Sequence, residues 1–520
     1  MRNTVRDGLA NQLEFLATTS LPWLWEAAQR RPQVERLVNR TLIDRALSKV
    51  PPRPHPLSTR TDYTAWSSLT DRTYDARHLP PAEPMALPPD VDDVLALFDR
   101  GDAGTTECPK STLLFPYFAQ WFTDGFLRSD RSVPRDPRRN ESTHDIDLMQ
   151  LYGRTQADTR MLRSFRGGRL KSQDINGEEY PPYLCRDGVV KPEFSRVRVV
   201  RFEQLSDDVR NRLFAMGSDT SNFQLGFVLM NVLFLREHNR VAGLLQARHP
   251  TWSDTRLFET TRNILIAVLI KIVLEEYINH IAPYHFQFRF DPGGLTGRER
   301  WYRTNWMAVE FNLLYRWHSA VPSQITVDGR PAPIVDTLWP GDRIAERGLG
   351  PHFDEASSQP AGRIGLFNTD RFLHEAERQS IEQARAVRLA SYNDYRELCG
   401  FPRVTDVDQI SGDPRVQQAL MEVYGDVDRI EFYVGLFAED LRRNSVLPSL
   451  IGRLVGVDAF SQALTNPLLS PRLFNAETFT PTGLAVIEET TSLADLVARN
   501  VPAGSPRYTV TMRRAGWVRE

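Results

Sequence analysis

Two long segments in the middle of the chain carry apolar residues at helical spacing. They run from Asn222 to Gln246 and from Arg256 to Ile281, with Pro250 and Ser253-Asp254 between them. Apolar residues three and four positions apart share one face of an α-helix, and a proline followed by Ser-Asp marks where one helix ends and the next begins. The pattern predicts two long core helices. Because most of the remaining chain shows the same spacing, we predict a mainly α fold.

The first 56 residues are predicted to form a separate amphipathic helical segment. Arginines surround two apolar clusters, which consist of Leu13, Phe15, Leu16, Leu21, Trp23, Leu24 and Trp25, and of Leu37, Leu42, Ile43 and Leu47. The proline-rich connector PPRPHP at 51–56 ends the segment, since proline restricts the backbone. Two interpretations stay open: a helical pair packed on the main domain, or a monotopic surface that dips into one bilayer leaflet.

Residues 57–505 are predicted to form one large domain, followed by a C-terminal tail at 506–520. A chain of 520 residues is long enough to bury a large core. The stretches 320–365 and 465–485 are richer in Pro, Gly and Thr, and we predict loops with short strands there.

Composition excludes several classes of protein. A formal net charge of −2 argues against nucleic-acid binding, which needs a basic face. The longest apolar run, Ile264 to Leu274, contains Lys271 and is shorter than the roughly 20 residues of a membrane span. The scattered Cys108, Cys185 and Cys399 indicate neither a disulfide framework nor a zinc site. With no apolar signal core at its start, the chain is predicted to be cytoplasmic, with the first segment in peripheral contact with the inner membrane face.

The stretch EFNLLYRWH places Tyr315 and His318 three residues apart, on one face if the segment is helical. An imidazole can hold a haem iron. A phenol one helical turn away could then carry an oxidising equivalent into a neighbouring pocket. The spacing alone is weak evidence for a haem site, because aromatic and histidine pairs fill many helix interiors. The flanking sequence is needed to support this interpretation.

Further stretches follow one another along the chain: DYTAWSSLTDRTYDARHLPP (62–81), FAQWFTDGF (118–126), HDIDLMQLYG (144–153), FLREHNRV (234–241), HPTWSD (249–254), EEYINHIAPYHFQFRFDP (275–292), RIGLFNTD (363–370), EVYGDVDRIEFYVGL (422–436) and NPLLSP (466–471). Together with EFNLLYRWH they resemble, in order, the animal-type haem peroxidases, specifically the cyclooxygenase (prostaglandin endoperoxide synthase) branch. The resemblance covers roughly residues 60 to 500. It implies one large, mainly α haem peroxidase domain, a haem b (iron protoporphyrin IX) cofactor and, with the arginine-rich composition, a bacterial member of the group.

The resemblance assigns roles to three residues. His318 matches the proximal haem ligand, whose second ring nitrogen donates a hydrogen bond that tunes the metal. Tyr433 matches a tyrosine near that proximal side. Tyr315 matches the radical tyrosine, which takes a hydrogen atom from a bis-allylic carbon of a fatty acid before O2 adds. Positioning is the protein's contribution to such a step.

The substrate channel follows from the same resemblance, although each residue is also a plausible core residue. The positions that match the channel or radical pocket are Phe122, Tyr277, Tyr284, Phe311, Leu314 and Trp317. Tyr284 matches the tyrosine at the channel mouth that helps to fix the substrate carboxylate. Its partner arginine is expected to be Arg45, with Lys49 as the competitor; only arginine offers a bidentate fork. Ser461 resembles the serine that aspirin acetylates in the animal enzymes.

One departure from the family concerns the distal haem face. The family carries a glutamine and, four residues later, a histidine that is the acid and base for peroxide cleavage. Here Gln120 is present but Asp124 replaces the histidine, while His144 matches a different family histidine. An aspartate that titrates near ~4 is a poor acid at neutral pH unless burial raises its pKa. Asp124 is therefore a working acid–base, a marker of lost peroxidase turnover with dioxygenation retained, or a solvated residue. We favour the second.

The sequence thus predicts a haem-dependent dioxygenase that adds O2 to an unsaturated fatty acid. The product would be a hydroperoxide or endoperoxide, with a weakened peroxidase half-reaction. The alternatives are a haem peroxidase that oxidises small reductants with H2O2, and a non-catalytic haem or lipid binder. A homodimer is expected from the resemblance, although the growth-factor-like module of the animal enzymes has no counterpart here.

Overall fold

The computed structural model of the chain describes residues 9–50, 57–130, 134–294, 297–302 and 306–520. In chain order the α-helices of these residues are α1 (Leu9–Thr19), α2 (Pro22–Gln29), α3 (Pro32–Leu47), α4 (Trp66–Thr70), α5 (Val91–Ala96), α6 (Leu114–Asp124), α7 (Met149–Tyr152), α8 (Gln156–Leu162), α9 (Asp207–Asn211), α10 (Leu225–Arg248), α11 (Asp254–Ile272), α12 (Asn279–Ile281), α13 (Val309–Leu314), α14 (Ile344–Arg347), α15 (Leu349–Ser358), α16 (His374–Ala386), α17 (Tyr392–Leu398), α18 (Pro414–Tyr424), α19 (Phe432–Ala438), α20 (Ser449–Leu464), α21 (Ala476–Glu489) and α22 (Leu493–Asn500). The mainly α prediction is confirmed.

The strands are short and pair as small antiparallel ladders. They are β1 (Glu107–Thr112), β2 (Gln173–Ile175), β3 (Glu178–Tyr180), β4 (Cys185–Arg186), β5 (Val189–Val190), β6 (Gln324–Val327), β7 (Arg330–Pro333) and β8 (Pro360–Gly362). β1 pairs with β8, and the other pairs are β2–β3, β4–β5 and β6–β7. With only two strands each, these ladders connect and brace the helices, and the core lies between helices.

The two long helices predicted from apolar spacing form the centre of the molecule. α10 is buried along most of its length and packs against α6, α11, α15 and α22. The Ser253 side chain caps α11 by accepting a hydrogen bond from the Arg256 amide at 3.3 Å. Beyond Ile272 the chain continues as a π-helical turn, Val273–Ile278, and then α12. π-turns inside helices occur often at functional sites, and this one carries Tyr277.

A glycine allows α10 to approach α6 closely. A Cβ atom at Gly226 would lie 2.4 Å from the Tyr117 ring, so any larger residue would push the two helices apart. Gln224, directly before α10, caps the helix by accepting from the Gly226 amide at 2.6 Å. This close contact sets the position of α6, the helix that carries Gln120 and Asp124.

The N-terminal segment contains three helices, α1 to α3, where the sequence predicted a pair. α3 packs on α20, and its Asn39 side chain donates to the Arg289 carbonyl at 2.9 Å. Trp23 and Leu37 remain 65% and 67% exposed. The proline-rich connector at 51–56 lies outside the described residues. None of the described helices is both long and apolar enough to cross a membrane.

The prediction of loops was wrong over part of two segments. Between 320 and 365 the β6–β7 hairpin and β8 are joined by α14 and α15. Residues 476–485 belong to α21, which the Asn475 side chain caps by accepting from the amides of Glu477 and Thr478. Thr480 has a φ of 64° before Pro481, so the helix is kinked there. Proline and threonine therefore mark a bend in a helix whose Phe479 is fully buried.

Candidate active site

Tyr315 and His318 do not lie on one continuous helix. α13 ends at Leu314, Trp317 has φ −83° and ψ 53°, and His318 begins a short 3-10 turn. Even so, both side chains line the same cavity of about 530 Å³. Its volume falls within the range of small-molecule and cofactor sites. Although the helix ends between Tyr315 and His318, both residues lie in one site.

The cavity collects residues from distant parts of the chain. Gln120, Thr123 and Asp124 come from α6, and Leu373, Ala376 and Ser380 come from α16 or the turn before it. Gln120 and Asp124 face the same cavity because they are four residues apart in a helix. Gln120, Asp124 and His318 therefore line one cavity, and their roles at a haem stay a prediction.

His318 is held by a buried glutamate that the sequence analysis missed. His318 Nδ1 lies 2.7 Å from Glu377 Oε2, and Tyr433 donates from its hydroxyl to Glu377 Oε1. Glu377 is 1% exposed, although it belongs to the otherwise polar helix α16. Its stretch, LHEAER, resembles a solvated helix face. The one signal for such a partner was the predicted proximal histidine, because the second nitrogen of a metal-binding histidine needs a hydrogen-bond acceptor.

These residues fit a haem group. The Glu377 carboxylate accepts the hydrogen on Nδ1, which leaves Nε2 of His318 as the nitrogen with a lone pair for iron. His318 lines the cavity, and its side chain is 17% exposed. A neutral imidazole with an oriented second nitrogen is the usual axial ligand of haem peroxidases.

Tyr315 stands between the cavity and a cluster of aromatic rings. Its ring stacks on Trp317 at 4.7 Å and meets Phe311 edge to face at 5.2 Å. The hydroxyl oxygens of Tyr315 and Tyr277 are both buried, and neither has a partner at hydrogen-bond geometry among the described residues. Burial raises the pKa of Tyr315, and the nearby Tyr277 hydroxyl opposes that rise. The two phenols are thus close neighbours that are not aligned as a hydrogen-bonded pair.

The remaining predicted channel residues surround this pair or lie in the core beside it. Phe122 meets Tyr277 at 6.1 Å and Phe126 at 4.9 Å. Leu314, directly before Tyr315, is fully buried. Phe115 and Phe118, which the sequence analysis did not select, also pack on Tyr277, at 5.8 Å and 5.4 Å. The spacing of aromatic residues along α6 is the signal that could have found them.

The carboxylate of Asp124 is surrounded by hydrogen-bond donors. Arg128 Nη1 lies 2.8 Å from Oδ1, and the hydroxyls of Ser218 and Thr220 each donate to Oδ2 at 2.7 Å. Gln120 instead accepts from Gln224 Nε2 at 3.1 Å. Asp124 is therefore an ion-paired residue at the cavity wall, and the picture of a solvated helix residue does not describe it.

Arg128 links two acidic residues. Besides Asp124, it donates from Nη2 to Asp219, and its side chain is 7% exposed. Burial lowers the pKa of Arg128, but the charges of Asp124 and Asp219 outweigh that effect and raise it. Arg128 thus remains a cation in the wall of the cavity. Neither Arg128 nor the two hydroxyls was found from sequence.

His144 lies away from this arrangement, in the core. Its Nε2 is 2.6 Å from the Arg72 carbonyl, and its Nδ1 accepts from the Met307 amide at 3.1 Å. Burial lowers the pKa of His144 to about 4. With both nitrogens engaged, this histidine braces the backbone.

Around Tyr284, acidic and basic side chains gather from separate helices. Lys49 Nζ lies 2.6 Å and Arg45 Nη2 3.2 Å from the same oxygen of Glu14. The Lys49 side chain is 23% exposed and that of Arg45 57%. Burial raises the pKa of Tyr284; the charge of Arg453 opposes this rise, and that of Glu14 adds to it. Glu14, which the sequence analysis did not select, therefore belongs to this group.

Ser461 lies inside α20. It is 3% exposed, and its hydroxyl donates to the Asp458 carbonyl at 3.1 Å. The adjacent Phe460 packs on Phe288 at 4.9 Å, and Phe288 meets Tyr284 at 6.1 Å. Aromatic contacts thus connect the neighbourhood of Ser461 with that of Tyr284.

Fold and site together define a haem peroxidase. Residues 115–511 match the sequence profile of the animal haem peroxidase family, and the chain belongs to this family. It is an oxidoreductase that depends on haem. Among its relatives, prostaglandin G/H synthase 1 of Mus musculus is 32% identical over 520 residues, covering 96% of this chain and 82% of that protein. Prostaglandin G/H synthase 2 of Equus caballus is 31% identical, covering 84% and 72%. These values place the chain in the cyclooxygenase-like branch.

Solved structures share the fold at lower sequence identity. The fatty acid alpha-dioxygenase of Oryza sativa has a TM-score of 0.68 at 16% identity, with 95% of this chain and 94% of that chain covered. Peroxidase A from Dictyostelium discoideum has a TM-score of 0.66 at 18% identity, with 89% and 100% covered. At this identity the similarity establishes the common fold.

Proposed function

We propose that the chain is a haem-dependent fatty-acid dioxygenase that works through a radical on Tyr315. One observation carries the proposal: Tyr315 lines the His318 cavity, and its hydroxyl is buried among aromatic rings next to the equally buried hydroxyl of Tyr277. The phenol is thus within reach of a group bound in the cavity and is shielded from water. The named relatives, prostaglandin synthases, support the same chemistry.

The residues divide the reaction between them. Haem, when bound at His318, supplies an oxidising equivalent drawn from a peroxide. The Tyr315 phenoxyl radical takes a hydrogen atom from the fatty acid, which restores the phenol and leaves a carbon radical that adds O2. The peroxyl radical then takes the hydrogen atom back from Tyr315, giving a hydroperoxide and renewing the tyrosyl radical. The first transfer needs the substrate carbon in contact with the phenol, and the second needs the peroxyl oxygen there. Phe311, Trp317 and Tyr277 are therefore expected to hold the acyl chain beside Tyr315.

Peroxide turnover is proposed to be weak. Heterolysis of an O–O bond needs one group to take a proton from the near oxygen and return it to the far one. The Asp124 carboxylate already accepts three hydrogen bonds and balances the charge of Arg128. Moving a proton through it would break this ion pair. Since one radical serves many dioxygenase cycles, the loss affects peroxidase activity far more than oxygenation, and the released product is the hydroperoxide.

The fatty-acid carboxylate is proposed to bind next to Tyr284. Of the two cations that pair with Glu14, Lys49 is proposed as the partner of the carboxylate, because it is less exposed and closer to Glu14 than Arg45 is. Arg45, the arginine expected from the resemblance, remains the alternative. Glu14 holds both cations before substrate arrives. An incoming carboxylate would therefore compete with Glu14 for them.

The N-terminal segment is proposed to touch membrane lipid. Leu13, Leu16, Leu21, Trp23, Leu24 and Leu37 are large apolar residues that α1 to α3 and their connections leave exposed. Aromatic and aliphatic side chains flanked by arginine suit the boundary between acyl chains and head groups. Residues 1–56 would thus form the lipid-entry region, 57–505 the catalytic domain and 506–520 the tail. The expected homodimer stays a prediction, testable by analytical ultracentrifugation.

Oxygen uptake by the holoenzyme tests the proposal. Linoleate should start O2 consumption in the wild-type protein, and Tyr315→Phe should abolish it while the haem Soret band stays the same. Tyr277→Phe is the matched control, because it removes a neighbouring buried hydroxyl and should retain uptake at a lower rate. Peroxidase activity in a protein that never consumes O2 with any fatty acid would instead favour a haem peroxidase.

A further inference from the structure

Hydrogen-bond donors converge on the buried carboxylate of Glu377. His318 Nδ1 lies 2.7 Å and Thr369 Oγ1 3.4 Å from Oε2, while the Tyr433 hydroxyl donates to Oε1. An ionised carboxylate can only accept hydrogen bonds, which suits all three groups at once. The hydrogen between Glu377 and His318 therefore belongs to Nδ1. This makes the interaction a charge-assisted hydrogen bond, the stronger class.

The surrounding helices hold this arrangement in place. Glu377 is 1% exposed on α16, and Tyr433 is 1% exposed on α19, where it stacks on Phe98 at 5.5 Å. Burial and the charge of Glu377 raise the pKa of Tyr433 far above its ordinary value, so Tyr433 remains a donor at neutral pH. The positive charge of Arg316 opposes this rise in the pKa of Tyr433. The carboxylate of Glu377 is thus fixed in orientation, with His318 bound to one oxygen and Tyr433 to the other.

We propose that Glu377 is a positioning residue that orients His318 and increases electron donation from its imidazole, and that Tyr433 moderates this effect. An anionic acceptor on Nδ1 raises the basicity of Nε2, and a more basic axial ligand favours the ferric state of a haem. The Tyr433 hydroxyl shares the carboxylate's charge, so it weakens the pull on Nδ1. The inference rests on the assignment of His318 as haem ligand, which is part of the proposed function.

A purely structural role for Glu377 makes a different prediction. If the carboxylate only filled space and satisfied donors, changes at Glu377 and Tyr433 would both loosen the pocket and act in the same direction. If it tunes the imidazole, removing its charge and removing the moderating hydroxyl must act in opposite directions. The sign of two substitutions therefore separates the two roles.

The reduction potential of the bound haem is the decisive measurement. Glu377→Gln keeps an acceptor oxygen and the side-chain shape but removes the charge, so the potential should rise. A tenfold shift of the ferric–ferrous equilibrium corresponds to about 59 mV for one electron. Glu375→Gln, at an exposed position on the same helix, is the matched control and should leave the potential unchanged. Haem affinity of Glu377→Gln should also fall by about tenfold.

Tyr433→Phe should shift the reduction potential in the opposite direction. It also provides a second test if Glu377→Gln does not fold. Without the Tyr433 hydroxyl the carboxylate pulls harder on Nδ1, so the potential should fall. The iron–histidine stretching frequency of the ferrous protein, read by resonance Raman, should drop in Glu377→Gln and rise in Tyr433→Phe. Unchanged potentials in both variants, or shifts of the same sign, would overturn the proposal.

The measurements need no fatty acid, so they separate this inference from the proposed function. If the wild-type protein showed no oxygenase activity, the dioxygenase proposal would fail. The reduction potentials would still test the role of Glu377. A wild-type ferrous protein without an iron–histidine stretch would remove the ligand assignment and, with it, the role of Glu377.

Discussion

The guanidinium of Arg128 is paired with the carboxylate of Asp124 at the cavity wall, with Nη1 and Oδ1 2.8 Å apart. Asp124 occupies the position where the haem peroxidase family, by resemblance, carries its distal histidine. The side chains of Arg128 and Asp124 are 7% and 11% exposed, so the pair is largely removed from water. A side chain expected to move protons is thus occupied in balancing a cation.

A histidine at position 124 should restore peroxidase turnover. Imidazole titrates near neutrality, and general acid–base catalysis is typically worth about 10²- to 10⁴-fold. Asp124→His is expected to raise the H2O2-dependent oxidation of a phenolic reductant by about 10²-fold, the lower end of that range. Asp124→Asn, which also breaks the ion pair but offers no base, should show no gain. Equal rates in the histidine and asparagine variants would contradict this account.

Removing the cation of the pair should destabilise the protein. Arg128→Met leaves Asp124 and Asp219 without their shared counter-charge in a largely buried site. Breaking one partner of a buried ion pair costs about 3 kcal/mol in the free energy of unfolding. Adding Asp124→Asn should recover part of this loss, because it removes the negative charge that Arg128 balances at the cavity wall. Denaturant-induced unfolding of the three proteins measures both effects, and full stability in Arg128→Met alone would argue against a structural ion pair.

Two opposite changes near Tyr284 should move substrate affinity in opposite directions. A hydrogen bond to a charged group is worth about 1.5 kcal/mol or more, so Lys49→Gln should raise the KM for linoleate about tenfold with little change in kcat. Glu14→Gln removes the competing carboxylate and should lower the KM. Arg45→Gln is the comparison, because Arg45 lies in α3, one turn before Lys49, and pairs with the same oxygen of Glu14. A larger effect at Arg45 than at Lys49 would reverse the assignment of the carboxylate partner.

Apolar residues of the N-terminal helices should determine binding to lipid vesicles. Burying one large apolar side chain is worth about 1.5–3 kcal/mol, so Trp23→Ser combined with Leu37→Ser should weaken binding at least about tenfold. Co-flotation with anionic phospholipid vesicles measures this. Leu87→Ser is the control, because Leu87 is 79% exposed outside the segment. Equal flotation of all variants would leave the segment without a lipid role.

Local patterns predicted much of the architecture. Helical spacing located α10 to within three residues at each end, because a helix buried on most sides must repeat its apolar positions regularly. The second predicted helix, Arg256 to Ile281, is divided in the structure into α11, a π-helical turn and α12. The prediction was wrong for 476–485, where Thr480 and Pro481 mark a kink inside α21. Proline signals a break in a helix but does not say whether the helix resumes. The three helices before residue 50 were predicted as two for a related reason, since a turn as short as the one at Leu21 leaves little sequence signal.

Sequence alone determined that this chain is mainly helical and that it belongs to the haem peroxidase family, because ordered motifs of that family carry both facts. It also selected His318, Tyr315, Gln120 and Asp124, which line one cavity, as a predicted haem site. Only the tertiary structure identified the partners of these residues. Glu377 is 59 positions from His318, and Ser218 is 94 positions from Asp124. Whether a polar side chain is solvated or buried against a functional group depends on which helices pack together. That packing is a property of the whole core, and no local stretch of residues encodes it.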